Sequence, residues 1–279
     1  MNYKIVADSS SNVFELSGVD YAHVPLKILN QGVEYVDVPG LDVFGMLDAM
    51  KASREGSSTS CPNVYEWKEA FGDAEGIFAV TITSNLSGSC AAARTAAEDY
   101  MEEHPGRRVS VIDTLSVGPE AHLVLDKLAE LMAQGLEFDE IDRQVREYLK
   151  TTRLCFSLES IENLARNGRV SMAVAKLVGV MGIRIVGRAS DEGTLQQLHK
   201  CRGEKKALAA VFDEMKSRGY CGGKVWIDHC LNLNAAMTLK DLIRSEFPGS
   251  VVKVGTCMGL CSYYAEQGGL LIGYEGAEQ

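Results

Sequence analysis

The sequence predicts an α/β protein of two domains: an N-terminal three-layer α/β/α domain with a mainly parallel sheet, and a C-terminal α+β domain with a mixed sheet. The first half repeats the order strand, polar loop, helix, which is typical of a parallel sheet covered by helices. The second half instead combines a predicted hairpin with strand–helix–strand units. We expect the domains to span residues 1–155 and 156–279.

The N-terminal elements follow from the spacing of apolar residues. Leu41, Phe44, Leu47 and Met50 recur at helical spacing, and Asn30-Gln31-Gly32 separates two β-rich runs as a turn would. The predicted strands are Tyr3–Ala7, Tyr21–Leu29, Val33–Val36, Gly76–Ile82 and Arg108–Ile112. The predicted helices are Leu41–Ser53, Cys90–Glu103, Ala121–Gln134 and Phe138–Lys150.

In the C-terminal half, the very apolar stretch Val174–Val180 predicts a helix, and residues 190–193 form the turn of a hairpin. The predicted helices are Leu158–Leu164, Val174–Val180, Ala207–Arg218 and Asn234–Phe247. The predicted strands are Ile183–Arg188, Thr194–Leu198, Lys224–Asp228, Val251–Thr256 and Leu270–Tyr274.

Composition narrows the class of protein. With 279 residues, 46% of them hydrophobic, the chain can bury a sizeable core or a core with a cavity. A formal net charge of -10 argues against nucleic-acid binding, which needs clustered Lys and Arg, but not against a carboxylate held by local dipoles. The longest weakly charged stretch, Val170–Ile183, is interrupted by Lys176 and is too short for a membrane span. We therefore expect a cytoplasmic protein without a targeting segment.

The chain contains eight cysteines, which we expect to be reduced thiols, because the chain is large and we expect no signal sequence. No two cysteines have the Cys-x-x-Cys spacing of zinc or redox sites; Cys257 and Cys261 are four residues apart. The sequence thus predicts neither a metal site nor a cofactor.

Three loops rich in small hydroxyl residues come next to predicted strands or helices: Ser57–Asn63, Thr83–Ser89 and Asp113–Gly118. Ligands of parallel sheets bind beyond the carboxyl ends of the strands, and a Ser-Gly pair at a helix start offers a hydroxyl and free N–H groups to an anion. No Gly-Lys-Ser or Gly-Lys-Thr occurs, so a carboxylate is favoured over a triphosphate. The alternative is that these residues only cap helices and close turns.

The sequence also contains two candidate nucleophiles, Cys257 and Ser87. Gly255-Thr256-Cys257-Met258-Gly259 has the outline of a nucleophile turn after a strand, but no histidine follows His229 to serve as its base. Ser87 would likewise need a base, and Asp228-His229 reads more readily as a structural pair. A hydrolase or transferase using Ser87 or Cys257 on a small acyl substrate remains the alternative function.

Taken in order, these loops resemble those of the DegV family. The matching segments are Asp8-Ser9-Ser10, Thr59-Ser60-Cys61-Pro62-Asn63, Thr83-Ser84-Asn85-Leu86-Ser87-Gly88-Ser89, Val111-Ile112-Asp113-Thr114, Leu164-Ala165-Arg166-Asn167-Gly168-Arg169-Val170-Ser171, Ile183-Arg184-Ile185-Val186 and Arg202-Gly203-Glu204-Lys205-Lys206-Ala207. They span most of the chain.

The resemblance implies a binding protein rather than an enzyme. Its ligand would be a long-chain fatty acid, with the acyl chain buried in the C-terminal domain and the carboxylate held at the domain interface by Thr59, Ser87 and the Gly88 N–H. Some members present this carboxylate to a fatty acid kinase that makes an acyl phosphate for lipid synthesis, and Arg202 would meet that partner. The expected supporting residues are Ser60, Ser84, Asp8 and Ser9.

Two further expectations follow from the resemblance. Cys257 stands where the family often has a histidine near the carboxylate, which leaves that third contact open. The apolar stretch Ala173–Ile183, including Met181, is a candidate wall of the acyl tunnel. The mouth would then be neutralised by hydroxyl and amide groups and not by a cation.

Overall fold

The computed structural model describes residues 2–53, 56–171, 174 and 182–277. Its strands are β1 (Tyr3–Asp8), β2 (Asp20–Val24), β3 (Lys27–Asn30), β4 (Val33–Val36), β5 (Ser58–Ser60), β6 (Gly76–Thr81), β7 (Arg108–Asp113), β8 (Thr152–Leu158), β9 (Ile183–Ala189), β10 (Leu195–Arg202), β11 (Lys224–His229), β12 (Val251–Thr256) and β13 (Leu270–Glu275). The helices are α1 (Val43–Ala52), α2 (Val64–Phe71), α3 (Ser89–Glu103), α4 (Pro119–Ala133), α5 (Phe138–Leu149), α6 (Glu162–Arg166), α7 (Glu204–Ser217), α8 (Leu233–Glu246) and α9 (Gly259–Ala265).

The N-terminal sheet has the strand order β2-β1-β6-β7, and every neighbouring pair is parallel. Successive residues of its strands face opposite sides, as strand geometry requires. Ile5 and Phe78 pack against α4 and α5, whereas Val6 and Ile77 pack against α2 and α3. The predicted three-layer α/β/α domain is therefore confirmed.

The C-terminal sheet has the order β10-β9-β8-β13-β11-β12. β11 and β12 are parallel, and the other neighbours are antiparallel, which confirms the predicted mixed sheet. One face, including Cys155 and Ile272, packs against α7 and α8. The other face, including Leu154 and Leu271, joins a cluster with α1, α9 and the small sheet β4-β3-β5.

Several sequence predictions differ from the structure. Tyr21–Leu29 is two strands and not one, because Pro25 between them has no N–H to donate to a sheet. Leu158–Leu164 was expected to be a helix, but Leu158 ends strand β8, which the sequence analysis missed, and the helix is Glu162–Arg166. The elements β5, α2 and α9 were also missed. In contrast, the predicted turn at Gln31-Gly32 joins β3 to β4, and both residues have positive φ.

The domain division near residue 155 remains a prediction. Strand β8 runs across that position and pairs with β9 and β13 of the C-terminal sheet. Most of the predicted helix Val174–Val180 and of the tunnel stretch Ala173–Ile183, including Met181, lies outside the described residues.

Helix α4 lies between the two sheets and depends on a glycine of β13 for its position. It packs Val124 and Leu128 towards the N-terminal sheet and contacts β11 and β13 on its other side. A Cβ atom on Gly273 would lie 2.4 Å from both the Glu120 nitrogen and the Pro119 carbonyl carbon. The helix backbone can therefore approach the strand only where the strand lacks a side chain.

We expect Gly273→Ala to lower the free energy of unfolding by about 1–3 kcal/mol, because the added methyl group overlaps backbone atoms that cannot rotate away. Urea unfolding at equilibrium measures the change. Gly249→Ala is the matched control, since a Cβ there meets nothing within 4 Å, and it should change stability by less than about 0.5 kcal/mol. Equal losses in both variants would contradict the packing argument.

Candidate functional site

A cavity of about 280 Å³ lies between the N-terminal strand ends, the small sheet and the C-terminal sheet; we call it the main cavity. Most of its lining is apolar. The lining residues are Leu26, Thr59, Ser60, Cys61, Ile82, Leu86, Ser87, Gly88, Val117, Leu154, Phe156, Leu158, Leu164, Arg169, Leu195, Leu260, Cys261, Tyr264, Ala265 and Leu271. An apolar pocket with a few polar groups at one place is typical of a small-molecule binding site.

The C-terminal sheet provides one apolar wall. Leu154, Phe156 and Leu158 alternate along β8 and so point to the same face, while Cys155 points to the opposite core. Leu271 lies beside Phe156 in the register of β13. The wall is therefore built from a strand that periodicity did not reveal.

Hydroxyl and amide groups form the polar end of the main cavity, which we define as Thr59, Ser60, Ser87 and Gly88. Thr59 and Ser60 lie on β5, and Ser87 and Gly88 immediately precede α3, a helix of 15 residues. The N–H of Gly88 has no acceptor among residues 2–53, 56–171 and 182–277, and the positive end of the helix dipole adds to the field there. Polar residues of two of the three loops grouped by sequence reasoning thus meet in one cavity, where they can bind an anionic head group, whereas the loop Asp113–Gly118 contributes only Val117 to the lining.

The buried carboxylate of Asp8 fixes the position of the polar end. Asp8 accepts hydrogen bonds from the Ser89 hydroxyl at 2.7 Å, the Ile82 N–H at 2.9 Å and the Ser10 hydroxyl. Burial raises the pKa of Asp8, and these hydrogen bonds oppose the shift. Asp8 does not line the main cavity; it positions the segment 82–89 that does.

Ser9 and Ser84 occupy different places from the head-group residues. The Ser9 hydroxyl accepts a hydrogen bond from the N–H of Leu26, a residue of the main cavity, at 3.0 Å, so Ser9 lies behind the wall. Ser84 is exposed and lines a second, more open cavity of about 390 Å³, which we call the outer cavity. Ser87, Gly88 and Arg169 line both cavities, so the outer cavity adjoins the polar end.

Arg169 and Tyr264 are polar residues of the site that sequence reasoning missed. The Tyr264 hydroxyl lies 2.8 Å from the Thr59 Oγ1, and the Arg169 Nε donates to the Leu86 carbonyl oxygen at 3.3 Å. The presence of Arg169 differs from the expectation of a mouth without a cation. Arg169 belongs to a segment that matched the DegV pattern, so a signal was present; nothing in the sequence singled out Tyr264.

Helix α9 carries Tyr264 and is fixed by a buried acid. Asp37 accepts hydrogen bonds from the N–H groups of Gly259 at 2.6 Å and Leu260 at 3.0 Å, which caps the start of the helix. Burial raises the pKa of Asp37 to about 6, although bonds from Leu260, Ser9 and Gly259 favour the charged form.

The nucleophile candidates receive little support from the geometry. Cys257 is 2% exposed and is not among the residues lining the main cavity, whereas Cys261 is. Burial raises the pKa of the Cys257 thiol well above its ordinary value, so the reactive thiolate is disfavoured. Ser87 does line the cavity, but no histidine does among the residues that the structure describes.

Arg202 lies away from the polar end. It is exposed at the end of β10, whereas Leu195 at the start of the same strand lines the main cavity, about 23 Å away at the rise of a strand. Strand β10 forms a hairpin with β9, and the turn of this hairpin contacts the loop Thr83–Ser89. There the Thr83 hydroxyl donates to the Gly193 carbonyl oxygen at 2.9 Å.

Comparison with known proteins identifies the family. A family model described as "Uncharacterised protein, DegV family" matches residues 2–275. The chain belongs to the DegV family. The resemblance noted from the loop motifs is therefore confirmed. A DegV domain-containing protein of Streptococcus pneumoniae (strain ATCC BAA-255 / R6) is 40% identical over 279 residues, with 99% of each chain covered.

Two solved structures of the DegV fold are especially informative. The Streptococcus pneumoniae Fatty Acid Kinase (Fak) B3 protein, loaded with linoleic acid, matches with a TM-score of 0.97 and 40% identity over 99% of this chain and 100% of that chain. A DegV family protein from Eubacterium eligens, loaded with heptadecanoic acid, matches with a TM-score of 0.96 and 41% identity over 99% and 100% of the two chains.

Within the residues that the structure describes, this DegV protein has neither a membrane-spanning helix nor a cluster of metal ligands. Across the described ranges, no helix combines the length and apolar character needed to cross a bilayer. Nor do those ranges contain a group of at least three His, Cys, Asp or Glu side chains arranged to hold a metal ion.

We expect Asp37→Asn to change how stability depends on pH. Since the pKa of about 6 in the fold exceeds the ordinary value of 3.8, the folded protein binds the proton more tightly than the unfolded chain. The contribution of Asp37 therefore favours folding below about pH 4 and is lost as the pH rises through about 6, on the order of 3 kcal/mol in total. The stability of wild type relative to the variant should fall by that order over this range.

Urea unfolding of both proteins at a series of pH values measures this difference. Comparison with the variant cancels the titration of the other acids. A stability difference that is the same at the two ends of the range would show that Asp37 does not titrate abnormally.

Proposed function

We propose that this protein binds a long-chain fatty acid, with the carboxylate at Thr59, Ser87 and the Gly88 N–H and the acyl chain in the main cavity. The observation that carries the proposal is one apolar cavity whose polar groups, Thr59 and Ser87 among them, come from the loops of the DegV pattern. The fatty acids in the two related structures support the same class of ligand.

The energetics divide between the two parts of the ligand. Each buried methylene contributes roughly 0.8 kcal/mol, so about fourteen give on the order of 11 kcal/mol before the costs of binding. Hydrogen bonds to a charged head group add about 1.5–3 kcal/mol each and fix its orientation. Thr59 is held by Tyr264, which orients its hydroxyl, and Arg169 adds a positive charge.

We further propose that the bound carboxylate is presented to a fatty acid kinase. The open outer cavity beside Ser87 and Gly88 supports this, because a phosphoryl donor could reach the head group from that side. Arg94 and Arg169 line the outer cavity, and neither has a carboxylate partner in the described part of the chain, so both charges can face a phosphoryl group. A kinase partner also implies a cytoplasmic location, where nucleoside triphosphates are available.

Arg202 supports the docking of such a partner. Lys200, Lys205 and Lys206 are exposed near it, and within residues 182–277 none of these four cations forms an ion pair. A cationic surface on a protein of net charge -10 favours association with an acidic surface of a partner.

We expect the double substitution Thr59→Val and Ser87→Ala to weaken binding of palmitate by about a hundred-fold or more, because two hydroxyl donors to the carboxylate are lost while the apolar wall stays intact. Isothermal titration of delipidated protein measures the dissociation constant. Ser84→Ala is the matched control, since Ser84 lies outside the main cavity, and it should bind palmitate as wild type does.

Two outcomes would count against this assignment. Unchanged affinity for palmitate in the double variant would reject Thr59 and Ser87 as the residues that bind the carboxylate. It would not reject fatty acid binding itself. Denaturation and solvent extraction of the purified protein, followed by mass spectrometry, tests binding itself, and absence of a stoichiometric fatty acid together with no titration signal would reject it.

We expect Arg202→Glu to lower kcat/KM of a fatty acid kinase for the lipid-loaded protein about ten-fold and to leave palmitate affinity unchanged, because Arg202 lies far from the polar end. Arg244→Glu makes the same change of charge at an exposed position of α8 and serves as the control. Rates measured with the loaded protein as varied substrate give the comparison. An equal loss of kcat/KM in both variants would show that the effect comes from net charge alone. No loss in either variant would show that Arg202 is not part of the interface.

A further inference from the structure

A second, smaller apolar void lies beyond the main cavity, and we call it the inner void. Its volume is about 10 Å³, and the atoms that face it are apolar, although Gln197 is one of its lining residues. A space this small and apolar does not hold an ordered water. Ile161, Val170 and Ile185 belong to its lining but not to that of the main cavity.

Among the residues that the structure describes, four side chains separate the two spaces. Phe156, Leu158, Leu164 and Leu195 line both the main cavity and the inner void, so they form a partition between them. Phe156 is the largest of the four and is 3% exposed. Its removal would open the partition more than the removal of any of the leucines.

The ring of Phe156 depends on a glycine of the neighbouring strand. Phe156 and Gly187 are register partners on β8 and β9. A Cβ atom on Gly187 would lie 2.3 Å from the Phe156 Cζ, so the ring occupies the place that a side chain at 187 would take. The sheet thus reserves a position for a large side chain at this point of the cavity wall.

We infer that Phe156 sets the length of acyl chain that the protein prefers, by closing the main cavity in front of the inner void. The inference rests on the proposed fatty acid binding. A tail that fits the main cavity ends against the ring, and a longer tail must displace the ring or remain partly outside. The partition therefore limits the length of the acyl chain, because the polar end fixes the position of the carboxylate from which the chain extends.

The test compares affinities for saturated fatty acids from lauric to behenic acid in wild type, Phe156→Leu and Phe156→Ala. Preference should move to longer acids in the order wild type, Leu, Ala. Each newly buried methylene is worth roughly four-fold in affinity, so the ratio of the affinity for a longer acid to that for a shorter one should rise at least about ten-fold in Phe156→Ala. The leucine variant keeps the test available if the alanine variant is too unstable to fold.

Ile185→Val provides the control, because it enlarges the inner void and leaves all four partition side chains in place. Alone it should leave the length preference of wild type unchanged, and combined with Phe156→Ala it should extend the preference further. An unchanged order of affinities in both Phe156 variants, with fatty acids still bound, would overturn the inference and leave the proposed function standing. Failure of wild type to bind any of the acids would reject both.

Discussion

The carboxylate of Asp8 joins the ends of two parallel strands to the start of a helix beneath the polar end of the main cavity. Neighbouring parallel strands end at the same edge of a sheet, so an acceptor at the end of β1 can reach the Ile82 N–H just beyond β6 and the Ser89 hydroxyl at the start of α3. Burying a carboxylate is costly, and the raised pKa of Asp8 expresses that cost. Three donors offset it, and with them the loop 82–89 has one defined position.

A protein of net charge -10 can hold an anion because the local field differs from the overall charge. At the polar end, the Gly88 N–H, the start of α3 and the Arg169 guanidinium all direct positive potential into the same cavity. The buried acids of this region act differently. Asp8 and Asp37 accept hydrogen bonds from donors on loops and helices, so they position these elements without lining the main cavity.

Sequence reasoning could identify the polar end because its chemistry is local. Ser87 and Gly88 lie between the predicted strand Gly76–Ile82 and the predicted helix Cys90–Glu103, and parallel topology places such a loop at the ligand-binding edge of a sheet. Thr59 lies on the antiparallel strand β5, and only the resemblance of its motif to that of the DegV family pointed to it. Sequence reasoning could not identify the apolar wall. Leu154, Phe156 and Leu158 lie in a strand that no turn signal in the sequence separates from the next predicted helix. Tyr264 was equally out of reach: its contact with Thr59 spans 205 residues and depends on how α9 packs.

The same locality explains the wrong helix at Leu158–Leu164. A short apolar run is compatible with either a strand or a helix, and the pairing that makes Leu158 a strand residue comes from Ile185 of β9, outside the run itself. The parts of the fold fixed by nearby residues were therefore predictable, and those fixed by long-range pairing were not.

The site combines three sheets that contribute different properties. The N-terminal sheet, through the loop after β6, and the small sheet supply polar groups, and the C-terminal sheet supplies an apolar face, so none of them alone could bind an amphipathic ligand in a defined orientation. Asn12 links the N-terminal sheet to the C-terminal sheet, because its side chain donates to Asp228 at 2.6 Å and accepts from the Met258 N–H at 3.0 Å. Because Asn12 lies just after the turn that follows β1, the segment that places Asp8 under the polar end also anchors the C-terminal sheet. This short piece of chain therefore contributes to the spacing between the polar end and the apolar wall.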